Sequence, residues 1–259
     1  MRAAPGCISW LAVAAAMFWA TGSATAQARV PRTAPAVEVP LSEIPESHRD
    51  QVRQVIEQPT VSYRGGAEEF PSRPALYHWL LDHPDRASQA WRRLGAPCLE
   101  IADRGAGKFG YADAQGCDVG WQTVYSTPEM RIWYAEGKAR PMPLLPAFPG
   151  KAVVVLHHQH WTDSAGRQRV RHQADLFLQT DSKTASLLLR LIGPSVPRLS
   201  EQCLSQMELF FSGLARYLDC HPDQTEDLLF GTRPLGWLID PDPLHKYHPS
   251  KLPWLAECP

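Results

Sequence analysis

The chain has 259 residues, 26 Lys and Arg against 27 Asp and Glu, and an apolar fraction of 44%. That apolar content is enough for a sizeable core and excludes a disordered chain or a coiled coil. The balanced, scattered charge leaves no electrostatic footprint for a nucleic acid or an anionic membrane. No asparagine occurs, which removes N-glycosylation sequons and any Cys-His-Asn constellation.

In chain order, Arg2, an apolar run from Ile8 to Ala20 and small residues ending at Ala24-Thr25-Ala26 or Ala26-Gln27-Ala28 predict a cleavable secretory signal over residues 1–28. The run is shorter than the roughly 20 residues a spanning helix needs, so no membrane span is expected after cleavage. Cys7 precedes the apolar run and cannot be a lipidated cysteine after it. A soluble periplasmic or extracellular chain follows, starting near residue 27 or 29.

Residues 29–58 read as an extended linker and a short helix capped by Ser42, with Pro45 in its first turn, Val52, Val55 and Ile56 as its stripe, and Pro59 as its stop. A strand over 60–64 opens the main domain, residues 59–221. Two tandem helices follow, opened by Pro74 and Pro84 and closed by Gly95. Six strands are then expected around 98–103, 108–113, 117–126, 130–138, 151–161 and 168–179, an antiparallel meander.

A turn at Thr127-Pro128 places Trp121, Thr123 and Tyr125 on one inner face with Met130, Ile132 and Tyr134, and turns Gln122 and Arg131 away. A two-residue turn at Ser164-Ala165 puts His157, Gln159 and Trp161 on a face with His172, Ala174 and Leu176. His157 is then opposite His172, with His158 and His160 outside beside Arg169 and Arg171. Ser182 caps a helix that Gly193-Pro194 interrupts. Beyond it Val196, Leu199, Cys203, Met207, Phe210, Leu214 and Leu218 form one stripe on a long helix. From Pro222 to residue 259 the Pro-rich tail is expected to lack regular structure.

Strand, helix pair, meander and long C-terminal helix form an order that resembles the START-like, helix-grip superfamily over residues 59 to 220. The segment Ala75 to Pro84 and the run from Ala174 to Leu218 carry the likeness. The tracts Tyr77 to Gly95 and His172 to Ser182 are similar to those of an uncharacterised family of secreted planctomycete proteins. The resemblance implies an α+β helix-grip fold, a curved antiparallel sheet wrapped around the C-terminal helix, with Pro-rich extensions at both ends. It also implies a pocket for a hydrophobic or amphipathic small molecule. Fold alone leaves function open.

The sequence Gly105-Ala106-Gly107-Lys108-Phe109-Gly110 has dinucleotide-binding spacing, but no helix follows it, so a glycine-rich hairpin turn is expected and no cofactor is implied. The pocket candidates are Trp121, Tyr125, Tyr134, His157, Gln159, Trp161, His172, Met207 and Phe210. His157 and His172 read three ways: pocket lining, an acid and base, or two metal ligands that lack a third. No nucleophile elbow, Cys-x-x-Cys or His-Glu-x-x-His sequence assigns a catalytic residue.

The mature chain keeps five cysteines, an odd set for an oxidising compartment. Bonds between Cys117 and Cys203 and between Cys220 and Cys258 are open possibilities, as are buried free thiols. The expected function is binding of a lipid-like molecule without catalysis. The alternatives are a pocket enzyme and a structural envelope protein.

Overall fold

The computed structural model describes residues 38–96, 98–114, 116–139, 147–180 and 196–231. The signal segment, the helix expected after Ser182, Cys258 and most of the Pro-rich tail lie outside them. Among the described residues are five α-helices: α1 (Glu46–Glu57), α2 (Pro74–Asp82), α3 (Pro84–Arg93), α4 (Val196–Cys220) and α5 (Thr225–Phe230). There are eight strands: β1 (Val61–Arg64), β2 (Glu68–Pro71), β3 (Ala102–Asp103), β4 (Lys108–Ala112), β5 (Asp118–Ser126), β6 (Met130–Ala139), β7 (Phe148–Thr162) and β8 (Gln168–Gln179). They form one antiparallel sheet in the order β1-β8-β7-β6-β5-β4-β3, with β2 also paired to β8. An antiparallel meander followed by a long C-terminal helix makes this an α+β chain of the helix-grip class.

The chain divides into two compact units, one of Met1–Ala67, Ala102–His158 and His172–Gln206, the other of Glu68–Ile101, Gln159–Arg171 and Met207–Pro259. In the first, α1 starts behind Pro45 rather than at Ser42, which sits in a 3-10 turn (Leu41–Glu43). The Arg49 guanidinium donates to the carbonyls of Leu41 at 3.0 Å and Ile44 at 3.0 and 3.2 Å, tying that turn to the helix. Val52 and Val55, one turn apart, then enter a cluster with Ile44, Val124, Ile132, Tyr134, Val153, Val155 and Phe177. The N-terminal helix therefore covers one face of the sheet.

Residues directly opposite each other in a ladder point to the same side. Tyr125 is level with Ile132, and Ile132 with Val155, so these belong to the face under α1. A bulge between Thr123 and Tyr125 absorbs one residue, and beyond it Gln122 is level with Tyr134 and Trp121 with Ala135. This corrects the expected register. Trp121 and Thr123 leave the face of Tyr134, and Gln122 joins it, its amide meeting the His48 ring of α1.

The β7–β8 connection brings a second correction. The Asp163 N–H donates to the Arg167 carbonyl at 2.9 Å, leaving Ser164, Ala165 and Gly166 as a three-residue loop with Gly166 at φ 76°. One residue more than expected reverses the parity of the pair. At the far end the Thr180 hydroxyl donates to the Pro149 carbonyl at 3.1 Å, which fits the same register. His158, not His157, is level with His172.

The Gly105–Gly107 segment is the expected hairpin turn, with Gly105, Ala106 and Gly107 all at positive φ. In the second unit the Trp91 indole donates to the Phe210 carbonyl at 2.9 Å, and a Cβ at Gly213 would lie 3.3 Å from the Trp91 ring, so glycine permits the close approach. From Glu208 to Leu218 α4 is buried almost all round rather than along one stripe, with Phe211, Ser212 and Ala215 buried besides the expected residues. The segment after Pro222 is regular where irregular chain was expected, since a 3-10 turn (Pro222–Gln224) leads into α5, which buries Leu228 and Leu229.

Ile132→Ala is expected to cost roughly 2–5 kcal/mol in urea unfolding, because it empties the centre of the α1 cluster. Trp161→Ala, at a side chain 38% exposed, should cost less than about 0.5 kcal/mol.

Candidate functional site

On β6, Arg131 and Trp133 alternate with the α1-facing residues and so point to the opposite face, as do Leu156 and His158 on β7. On β8 the contact of His157 with Asp175 assigns the odd positions to the α1 side and the even ones, His172, Ala174 and Leu176, to the opposite face. That face is unlike its counterpart. It buries Trp133, Leu156, Ala174 and Leu176, and with them Arg131 (3% exposed), His158 (2%) and His172 (1%). The Arg131 guanidinium donates to the Ser126 hydroxyl at 3.3 Å, and the His158 N–H donates to the Glu129 carbonyl at 2.8 Å, fixing the strand at that level. Leu156 is level with Arg131, so His158 is diagonal to Arg131 across β6 and β7. One cation and two imidazoles are thus gathered on one apolar wall.

The other expected histidine belongs to a different cluster. The Arg64 guanidinium donates to both carboxylate oxygens of buried Asp175, at 2.6 and 3.0 Å, and His157 Nε2 lies 3.6 Å from Asp175 Oδ2. The hydrogen bond to Asp175 raises the Arg64 pKa above its ordinary value. Burial pulls the His157 imidazole below its ordinary value; Asp175 opposes that and Arg64 reinforces it. This is an ion pair with a half-buried imidazole at its rim, on the α1 side of the sheet.

The nine pocket candidates are therefore dispersed. Tyr125 and Tyr134 are held under α1, with their hydroxyls donating at 3.0 Å to Glu43 and Glu136. Trp121 is half-buried and level with Phe109, their ring centroids 6.3 Å apart. Gln159 and Trp161 are exposed near the β7–β8 loop. Met207 is half-buried, and Phe210 packs edge-on to Phe211 with centroids 4.9 Å apart. Of the nine, His172 lies on the polar-lined wall beside His158, and Trp121, level with Ala135, is on the same sheet face farther along. Arg131 and His158 were missed, because their assignment depends on the register and not on residue type.

A second histidine group involves α2. His158 and His160 project from the same face of β7, two residues apart, and the His78 ring meets the His160 ring edge-on with centroids 5.8 Å apart. Arg169 and Arg171, expected beside them, occupy odd positions of β8, on the opposite side, and Arg171 reaches Glu69 at 3.8 Å.

Of the open possibilities for the cysteines, one is decided. Cys117 and Cys203 are free thiols and not partners. Cys117 is fixed in the β4–β5 turn, where Asp113 accepts its N–H at 2.9 Å, and burial pushes the Cys203 thiol up to about 11. Cys98, also free, is raised to about 11 by burial. Cys220 is disulfide-bonded, and Cys258 lies outside the described residues.

No family model and no curated protein matches the chain. Among solved structures it is similar to a conserved protein from Geobacillus kaustophilus, with 11% identity, 61% of this chain and 97% of that one covered, and a TM-score of 0.39. A hypothetical protein from Helicobacter pylori aligns at 9% identity over 74% of this chain and 100% of its own, with a TM-score of 0.36. Ara h 8.0201 aligns at 13% identity over 56% and 99%, with a TM-score of 0.30. None of these likenesses bears on activity. Among the described residues no helix is long and apolar enough to cross a membrane.

Asp175→Asn is expected to cost roughly 2–4 kcal/mol in chemical unfolding, since it weakens a buried pair whose arginine is partly solvated. Because the folded-state pKa of His157 is depressed, its neutral form suits the fold. The stability tied to that form is full above the unfolded value near 6.5 and is lost as pH falls through the folded value. Thermal melts between pH 7.5 and 5 should therefore fall more steeply for the wild type than for His157→Gln.

Proposed function

We propose that this chain is an exported helix-grip protein that holds an amphipathic small molecule, lipid-like in its tail and anionic in its head, without transforming it. One observation carries the reading. The sheet face away from α1 buries Arg131, His158 and His172 among Trp133, Leu156, Ala174 and Leu176. An all-apolar wall is sufficient for packing. A few convergent polar groups on an apolar wall are the usual make-up of a small-molecule site. The guanidinium supplies a planar fork for a carboxylate or phosphate head, and the imidazoles supply further donors. The apolar residues offer surface for a tail.

The proposed ligand lies against this wall, on the side of the sheet away from α1. Export to the periplasm or the exterior is part of the proposal. It is supported by the leader pattern of residues 1–28, by the similarity of the tracts 77–95 and 172–182 to secreted planctomycete proteins, and by the bonded Cys220, which suits an oxidising compartment.

A second reading, a pocket enzyme, is favoured by the two level imidazoles, His158 and His172, since neighbouring ring nitrogens can serve as general acid and base. The reading first attached to His157 and His172 requires residues that lie on opposite faces.

The full-length chain expressed with its leader should be recovered outside the cytoplasm with a mass starting at Gln27 or Arg29. It should bind a fluorescent fatty acid saturably, with one site. Arg131→Met, which keeps the packed stem, should weaken binding by roughly tenfold or more, while Trp161→Ala leaves it unchanged. Absence of saturable binding by the folded wild type, together with no co-purified lipid in mass spectra, would reject the proposal.

A further inference from the structure

We infer that residues 232–259 form a strap that is bonded through Cys258 to Cys220 and seated on the aromatic surface where Trp79 of α2 meets Phe230 of α5. The bond follows by elimination. The chain has six cysteines. Cys220 is disulfide-bonded, whereas Cys98, Cys117 and Cys203 are free, which leaves Cys7 and Cys258 as possible partners. Cys7 precedes the apolar run of the leader and departs with it, a step that rests on the export reading above. Cys258 is then the partner. Forming the bond removes two protons and two electrons from the two thiols, and a disulfide oxidant takes them up by thiol–disulfide exchange and leaves as two thiols.

Anchor and seat belong to one compact unit, which includes Glu68–Ile101 and Met207–Pro259. Cys220 ends α4 at an exposed position, open to a returning segment. Its neighbour Asp219 accepts from the Arg73 guanidinium at 2.9 Å, which ties that helix end to the start of α2. Trp79 follows on α2, about 9 Å along the helix axis from Arg73. Its ring stacks on His83 with centroids 4.2 Å apart and meets the Phe230 ring edge-on at 5.5 Å. α5 is held in turn, since Leu228 and Leu229 are buried and the Leu228 carbonyl accepts from Arg93. Phe230, the last residue of α5, is nevertheless 55% exposed. A fixed aromatic surface with one ring open to water gains by being covered.

The course of the chain names the occupant. It leaves α5 beside this surface at Gly231, and the bond returns it to the end of α4. On the way Trp237-Leu238-Ile239 and Trp254-Leu255 supply apolar side chains. Prolines recur from Pro234 to Pro253 and interrupt helix and sheet alike, so these side chains depend on a surface of the domain for burial. Closing the segment with a disulfide reduces the entropy it loses on settling there.

The test uses the purified full-length chain, with and without Cys7→Ser, equilibrated with a glutathione redox couple. The bond is then read whether or not the leader is removed, and the N-terminal mass reports leader removal separately. Non-reducing peptide mapping should join the Cys220 and Cys258 peptides in both chains, with an intact mass of one monomer. In limited digestion of the native protein by trypsin, cleavage after Lys246 and Lys251 should be accelerated about tenfold or more by Cys258→Ser and by Phe230→Ala. Trp161→Ala, at the other large apolar side chain exposed among the described residues, should leave the rate unchanged. A Cys220 bond to any other cysteine, a Cys220 thiol that stays free, or a disulfide-linked dimer overturns the inference. Equal cleavage rates for the wild type and Phe230→Ala overturn it as well, since the strap then has another seat.

Discussion

Asp163 holds the β7–β8 loop at three residues, and the side on which each imidazole of that strand pair lies follows from it. Its carboxylate accepts the N–H groups of Ala165 and Arg167, both at 2.9 Å, and the Arg167 guanidinium at 3.1 Å. Those bonds, led by the one from Arg167, hold its pKa below the ordinary carboxylate value. Gly166 takes the left-handed conformation that the third loop position requires. A loop one residue shorter would exchange inside for outside along both strands, since the side-chain period of a strand is two. The composition of the polar wall is thus a consequence of a turn at its far end.

The two sheet faces differ in kind. Under α1, Ile44, Val52, Val55, Ile132, Tyr134, Val153 and Val155 form an apolar cluster. Hydrophobic burial accounts for it without further assumption. The opposite face carries Arg131, His158 and His172, and burying such groups costs free energy unless each is engaged. Retaining three of them at one level of the sheet is a specialised arrangement, and the binding proposal rests on it. The ion pair of Arg64 and Asp175 is different, a bidentate contact on the α1 side with geometry sufficient to satisfy the carboxylate.

In the second unit the packing is set by close approaches between helices. Trp91 of α3 lies against Gly213 of α4 while its N–H reaches the Phe210 carbonyl, and Ser212 donates to Glu68 at 2.8 Å. α2 and α3 follow each other directly, each opened by a proline whose missing N–H costs a helix nothing in its first turn. His78 owes its position to that short helix.

The sequence by itself determined the elements. Pro74 and Pro84 placed two helix starts, alternation placed β5 to β8 to within three residues, and Gly105 to Gly110 read as a turn because no helix followed it. These are local signals, set by propensity and periodicity within a few residues. β2 and the short helix α5 were not legible, being brief segments whose pairing or burial lies in tertiary contacts.

Only the tertiary structure decided which residues share a face. The Thr-Val-Tyr run of β5 carries no mark of the bulge that moves Trp121 away from Tyr134, and the segment 163–167 fits a two-residue or a three-residue loop equally well as text. One residue in either place reverses the parity of a strand. A two-residue loop sets His157 level with His172, whereas the three-residue loop sets His158 there. His78 and His160 lie 82 positions apart in the chain, and nothing short of the fold brings their rings together.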